Sequence, residues 1–180
     1  MSENSSLKEI IKFRMDKIKA LQNKGVELYP HKYEFSHKNI DIHNGQAKFL
    51  SEDSNPSTVS LAGRIVSLRN MGKSAFLHIQ DDSGKIQVYL SNNNIDNDLE
   101  KLVCDNLDLG DIIGCAGEVF LTKTKELSIR AKSITLLAKN IRPLPNLKEK
   151  DGESFNAFSD KESRYRYRHL DLIANPGNKD

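Results

Sequence analysis

Two runs of the chain, AFLHIQD and KIQVYLS, carry side chains capable of chemistry at every second position. Phe76, His78 and Gln80 alternate with Leu77 and Ile79, and Lys85, Gln87 and Tyr89 alternate with Ile86, Val88 and Leu90. Successive residues of a strand face opposite ways, so the aliphatic set shares one side and the rings, amides and cation share the other. With Ser83-Gly84 as a two-residue loop, Gln80 is expected opposite Gln87, Ile79 opposite Val88, His78 opposite Tyr89 and Leu77 opposite Leu90. A slip of one residue would bury both glutamines, so the burial pattern fixes the parity.

An outward face bearing flat rings beside amides and cations suits a single-stranded nucleic acid. Rings stack bases, at about 1–3 kcal/mol each, while lysine and arginine meet phosphates. A glutamine amide offers a donor and an acceptor side by side, which can match the N3–H and carbonyl of a uracil edge. Phe76 stands on this face with Gln87 and Arg69 near it, although alternation alone shows only that rings and amides share one exposed side. The competing reading is that Phe76 packs beneath a helix or loop as ordinary core. Farther on, ELSIRAKS repeats the alternation, with Leu127, Ile129 and Ala131 inward and Glu126, Ser128, Arg130 and Lys132 outward. Glu126 could accept a hydrogen bond from a base, or could simply be a charge at a turn.

These residues need a scaffold. From Thr58 the sequence turns to period two: TVSLAGRIVSLR is one long strand, and Gly63 at its middle lets it bend between two parts of a curled sheet. The hairpin runs follow, joined by DDSG. IDNDLEKLVCDNLDLG then reads as a short helix ending at Gly110, followed by DIIGCAGEVFLT and ELSIRAKSITLLAK as two further strands about a KTK turn. Five short strands with one helix between the third and fourth predict a mainly β protein, a five-stranded OB-fold Greek-key barrel. In that barrel the second and third strands form the usual binding face. The lack of alternating crossover helices argues against a doubly wound sheet.

Before the barrel, SLKEIIKFRMDKIKALQNKG spaces Leu7, Ile10, Ile11, Ile18 and Leu21 as one helical stripe. Ser6 and Glu9 could form its capping box and Gly25 could end it. Residues 26–57 read mostly as loop, with a short helix near 46–51 and a turn-rich SEDSNPS run. After Lys139, PLP and a Lys, Glu, Asp, Gly and Ser stretch mark a linker, and RYRYRHLDLI looks like the start of another element. The expected division is an N-terminal helix and extension over 1–57, the barrel over 58–139 and a linker over 140–180.

Composition sets the bounds. The 180 residues are 37% hydrophobic and 29% charged with a formal net charge of +2, as in a soluble globular protein. No apolar run reaches the roughly 18 residues of a membrane span, and MSENSSLKE resembles neither a secretory signal nor a transit peptide, so no membrane association and a cytoplasmic location are expected. Charge is localised: Lys8, Lys12, Arg14, Lys17, Lys19 and Lys24 crowd the first helix, and Lys161, Arg164, Arg166 and Arg168 form a second cluster. Either cluster is a polyanion footprint or a solvated surface. Cys104 and Cys115 lack CxxC spacing and read as reduced core residues, while His31, His37 and His43 suit no metal spacing. No phosphate loop, nucleophile elbow or paired-carboxylate motif occurs, so no catalytic and no metal-ligating residue is assigned.

LAGRIVSLRNMGKSAFLHIQDDSGKIQVYL, LGDIIGCAGEVFLTKTKELSIRAKSITLLAKNIRPLP and ESRYRYRHLDLIANP together resemble the N-terminal anticodon-binding region of class II lysyl-tRNA synthetases. MGKSAF, TKELSIR, RPLP and RYRxRxLDLI carry most of that resemblance, and the first helix matches more loosely. The resemblance implies that Phe76 stacks an anticodon base, Gln87 reads the central uridine, Arg69 helps hold it and Glu126 contacts an anticodon base. Supporting RNA contacts are expected from Lys12, Lys19, Arg64, His78, Lys85, Tyr89 and Arg130. The implied partner is a lysine tRNA, and the implied parent a homodimeric ligase using ATP and Mg2+. The class II motifs that bind ATP and lysine are expected beyond residue 180, so the chain itself would hold no cofactor and form no aminoacyl-adenylate. DGESFNAFSDKES departs from the family, which has a shorter connection containing Phe-His-Gly. Aspartyl and asparaginyl relatives, which also read a central uridine, remain a near alternative. Beyond them stand a free OB-fold binder of single strands and a non-binding structural domain.

Overall fold

A computed structural model describes residues 2–50, 58–91, 93–145, 147–150, 153–156 and 160–174. The chain divides into two compact units, Met1–Ile141 and Arg142–Asp180. The first opens with helix α1 (Ser2–Asn23), continues through two short helices, α2 (Asn39–Asn44) and α3 (Gln46–Phe49), and then enters the strands β1 (Thr58–Asn70), β2 (Ser74–Gln80) and β3 (Lys85–Ser91). Helix α4 (Asp98–Asp105) separates these from β4 (Ile112–Leu121) and β5 (Leu127–Ala138). The strands close as a barrel in the order β1-β2-β3-β5-β4, antiparallel except for β3 against β5. This is the OB-fold barrel expected from the strand order. The SEDSNPS run lies outside the described residues.

The bend of β1 follows from its two sets of partners. Thr58 to Arg64 pair with β4, and Arg64 to Asn70 pair with β2, with a register irregularity between Ile65 and Ser67. A Cβ on Gly63 would stand 3.0 Å from the Gln80 carbonyl oxygen, so a side chain at this corner would crowd the β2 backbone. Leu61, Ile65, Leu77, Ile79, Val88, Ile113 and Ile129 are fully buried and fill the barrel. Burying an aliphatic side chain of this size contributes about 1.5–3 kcal/mol. Cys115 is also buried, and burial pushes its thiol up to about 12. Burial, then Asp105 and Glu100, raise the Cys104 thiol likewise to about 12, so neither cysteine is a poised nucleophile.

Helix α1 begins at Ser2, so Ser6 and Glu9 lie inside it and do not cap it. Gly25 does end it, with φ of 80°, and Val26 N donates back to the Leu21 carbonyl. Only the lower part of the expected stripe is covered: Ile18 and Leu21 are buried, whereas Ile10 is exposed. Arg14 and Lys17 are fastened to the barrel. Arg14 donates to the carbonyls of Asn140 and Leu109, and Lys17 Nζ lies 2.7 Å from Asp108. Lys139, with no exposed side chain, pairs with Asp108 at 2.5 Å and with the buried Asp111 at 2.6 Å. Burial opposes the ionised form of Asp108, but hydrogen bonds from Lys139 and Lys17 outweigh it and hold its carboxyl below the usual range.

Asn97 caps α4 by accepting from Leu99 N and Glu100 N. The helix ends at Asp105, short of Gly110, which instead takes a φ of 95° in the turn into β4. The second unit holds a two-stranded sheet, β6 (Leu147–Lys150) with β7 (Glu153–Asn156), then α5 (Lys161–Arg166) and α6 (Arg168–Ala174). Its basic cluster is largely committed. Arg164 and Arg168 both pair with the buried Asp171, and Arg166 pairs with Glu162. Among the described residues, no helix is long and apolar enough to cross a membrane.

Candidate nucleic-acid interface

The hairpin that starts the face is offset by two residues from the expected register. Gln80 pairs with Lys85, Ile79 with Ile86, His78 with Gln87, Leu77 with Val88 and Phe76 with Tyr89. The reason is the Asp81 side chain, whose Oδ1 accepts from Ser83 N at 2.7 Å and Gly84 N at 2.9 Å. That closes a four-residue loop, 81–84, where a two-residue loop was expected. A shift of two preserves the parity, so Leu77, Ile79, Ile86, Val88 and Leu90 remain buried as predicted.

Strand pairing then builds the outer face in two neighbouring rows. One runs Arg69, Phe76, Tyr89, Arg130, Glu118, and the other Ser67, His78, Gln87, Ser128, Phe120. The rings form a connected group: Phe76 lies 4.9 Å from Tyr89 at 42°, and Tyr89 lies 6.3 Å from Phe120, edge-on. Arg130 places its guanidinium 4.7 Å from the Phe120 centroid. This offset geometry is favourable for aromatic pairs and leaves an amphipathic platform.

The platform is one wall of a cleft of about 490 Å³. Arg69, Phe76, Gln87, Tyr89 and Glu126 all line it, together with Met71, Ser74, Phe120, Thr122, Lys123 and Thr124. The turn between β4 and β5 supplies Glu126, held because Thr122 Oγ1 accepts from Glu126 N and Thr122 N donates to the Glu126 carbonyl. Lys125 within that turn has φ of 61°. Glu126 reaches back over the face: one carboxylate oxygen lies 2.9 Å from His78 Nε2 and the other 2.7 Å from Gln87 Nε2. Ser128, expected outward and open, is fully buried under this bridge and donates to Gln87 Oε1 at 2.9 Å.

The remaining sequence-derived candidates are placed elsewhere. Arg64 Nη1 donates to the Gly110 carbonyl, so its head group is engaged within the fold. Lys85 sits beside the hairpin loop, its carbonyl 2.9 Å from His43 Nε2. Lys12 and Lys19 are exposed on α1 and do not line the cleft. Phe120 was missed. Its signal was the parity of EVFLT: once Val119 faces inward beside Ile129, Phe120 must face outward beside Ser128. Among the described residues no group of three His, Cys, Asp or Glu side chains could hold a metal ion.

Comparison with known proteins agrees with this geometry. Residues 59–137 match the tRNA anticodon family, described as an OB-fold nucleic acid binding domain. The chain is 40% identical over 174 residues to the lysine–tRNA ligase of Carboxydothermus hydrogenoformans, covering 97% of this chain and 33% of that protein. It is 41% identical over 174 residues to the lysine–tRNA ligase of Azobacteroides pseudotrichonymphae, covering 93% of this chain and 34% of that protein. The chain thus spans about a third of the length of the curated relatives it matches. The barrel thus matches an OB-fold nucleic acid binding domain family, in a chain similar over nearly its whole length to lysine–tRNA ligases.

Proposed function

We propose that this chain serves as the anticodon-binding part of a lysine–tRNA ligase and grips the anticodon loop of a lysine tRNA. The observation that carries this reading is the cleft in which a Phe76–Tyr89–Phe120 platform stands beside the Gln87 amide and the Arg69 cation. Phe76 stacks an anticodon base, Gln87 pairs with the central uridine, Arg69 steadies that base and Glu126 borders it. Tyr89 and Arg130 extend the platform, while Lys12, Lys19 and Lys85 meet the phosphate backbone. Such backbone contacts position the RNA without reading its sequence.

The whole enzyme would attach lysine to its tRNA using ATP and Mg2+, as a homodimer in the cytoplasm. The part proposed for this chain in that reaction is recognition of the tRNA. Both relatives named above are lysine–tRNA ligases, which favours the lysyl reading over the aspartyl and asparaginyl ones.

A titration separates anticodon recognition from general single-strand binding. The chain is expected to bind a lysine tRNA anticodon stem-loop more tightly than an oligo-dT of equal length at the same salt. Equal affinities would favour a free single-strand binder, and no shift with either ligand would leave a structural domain.

A further inference from the structure

The hydrogen bonds around Gln87 assign an orientation to its amide. A carboxylate only accepts, so the group 2.7 Å from Glu126 Oε2 must be the Gln87 NH2. The Ser128 hydroxyl donates to the other end, Gln87 Oε1, at 2.9 Å. His78 Nε2, at 2.9 Å, donates to the second Glu126 oxygen and so carries the ring proton. Turning the amide over would set its oxygen against the Glu126 carboxylate, acceptor against acceptor. Gln87 is 8% exposed, so its amide has few other partners, and two acceptors set face to face repel.

One N–H and one lone pair of the Gln87 amide remain for a ligand, in a fixed order. Uracil presents a carbonyl beside N3–H and matches that order. Cytosine presents an amino group beside a bare N3, and at the same placement N3 would face the amide oxygen, acceptor against acceptor. A freely turning glutamine would accept either base by rotating half a turn. Resting on the function proposed above, we propose that Glu126, Ser128 and His78 are positioning residues that lock the Gln87 amide, and that this lock makes the site take uracil and reject cytosine. The role of Glu126 is then chiefly to orient its neighbour.

The test compares the wild-type chain with Glu126→Gln, a nearly isosteric change at an exposed turn residue. The amide introduced by that substitution can present either a donor or an acceptor to Gln87, which frees the half-turn. Wild type is expected to bind a stem-loop with central uridine about tenfold or more tightly than one with central cytidine. In Glu126→Gln that ratio should fall to within about threefold, whatever loss the uridine loop itself suffers. Without RNA, the Gln87 side-chain amide protons should be resolved and slow to exchange in wild type, and should shift and exchange faster in Glu126→Gln. Ser128→Ala and His78→Phe should each lower the ratio part of the way, and an unchanged ratio in either removes that residue from the lock. A Glu126→Gln chain that keeps the wild-type ratio, or leaves the Gln87 amide signals unmoved, overturns the lock while leaving the proposed function standing. A wild type indifferent to the central base overturns the proposed function and the lock's role in it together.

Discussion

Replacing Phe76 by alanine removes one end ring of the platform and tests its task directly. The ring is half-buried, lines the cleft and leans on Tyr89 at 4.9 Å, so its loss has two separable consequences. Loss of a stacked base weakens RNA binding by about 1–3 kcal/mol, or roughly 5- to 150-fold in Kd. Loss of the aromatic pair costs the fold about 0.5–1.5 kcal/mol, which lowers Tm without touching affinity at temperatures where the chain is folded. Fluorescence anisotropy with a labelled lysine anticodon stem-loop reads the first, and thermal unfolding reads the second. Phe76→Leu keeps apolar bulk and discards the flat face, so it should recover only the part of the Tm loss that comes from buried apolar area, and not the affinity. An alanine variant within about twofold of wild type in Kd, or a leucine variant that binds like wild type, would refute the stacking role.

Two further expectations concern the scaffold. The Asp108 carboxyl titrates below its ordinary value of 3.8, so its contribution to stability is present above that pH and is lost as pH falls through the lowered value. Asp108→Asn should therefore be less stable than wild type at neutral pH and lose less Tm on acidification below about pH 4, as differential scanning fluorimetry across pH would show. Gly63→Ala pushes a methyl to 3.0 Å from the Gln80 carbonyl oxygen, a backbone atom with little room to give. It should cost about 1–3 kcal/mol in urea unfolding and open the β1 corner.

Legibility followed the range of the interactions. The inward set of the hairpin was readable because parity depends only on alternation, and Leu77, Ile79, Ile86, Val88 and Leu90 all bury as expected. The register was not, because it depends on the Asp81 side chain capping its own loop, which periodicity does not register. Phe120 hid within Val119-Phe120-Leu121, three apolar residues in a row, where alternation gives no sign until β5 is paired alongside. Basic residues were the least readable. Arg14, Lys17 and Arg64 look like RNA contacts by type, yet each is engaged by carbonyls or a carboxylate far off in sequence. Arg69, by contrast, keeps its place beside Phe76 because β1 and β2 are adjacent strands joined by a short turn.

The central claim is that this face reads the middle base of an anticodon, and one series of affinities tests it most directly. Stem-loops identical except for the middle base, titrated at a single salt concentration, hold the phosphate contacts constant and vary only the edge facing Gln87. Uridine should bind about tenfold or more tightly than adenosine, guanosine or cytidine at that position. Four equal dissociation constants would contradict it.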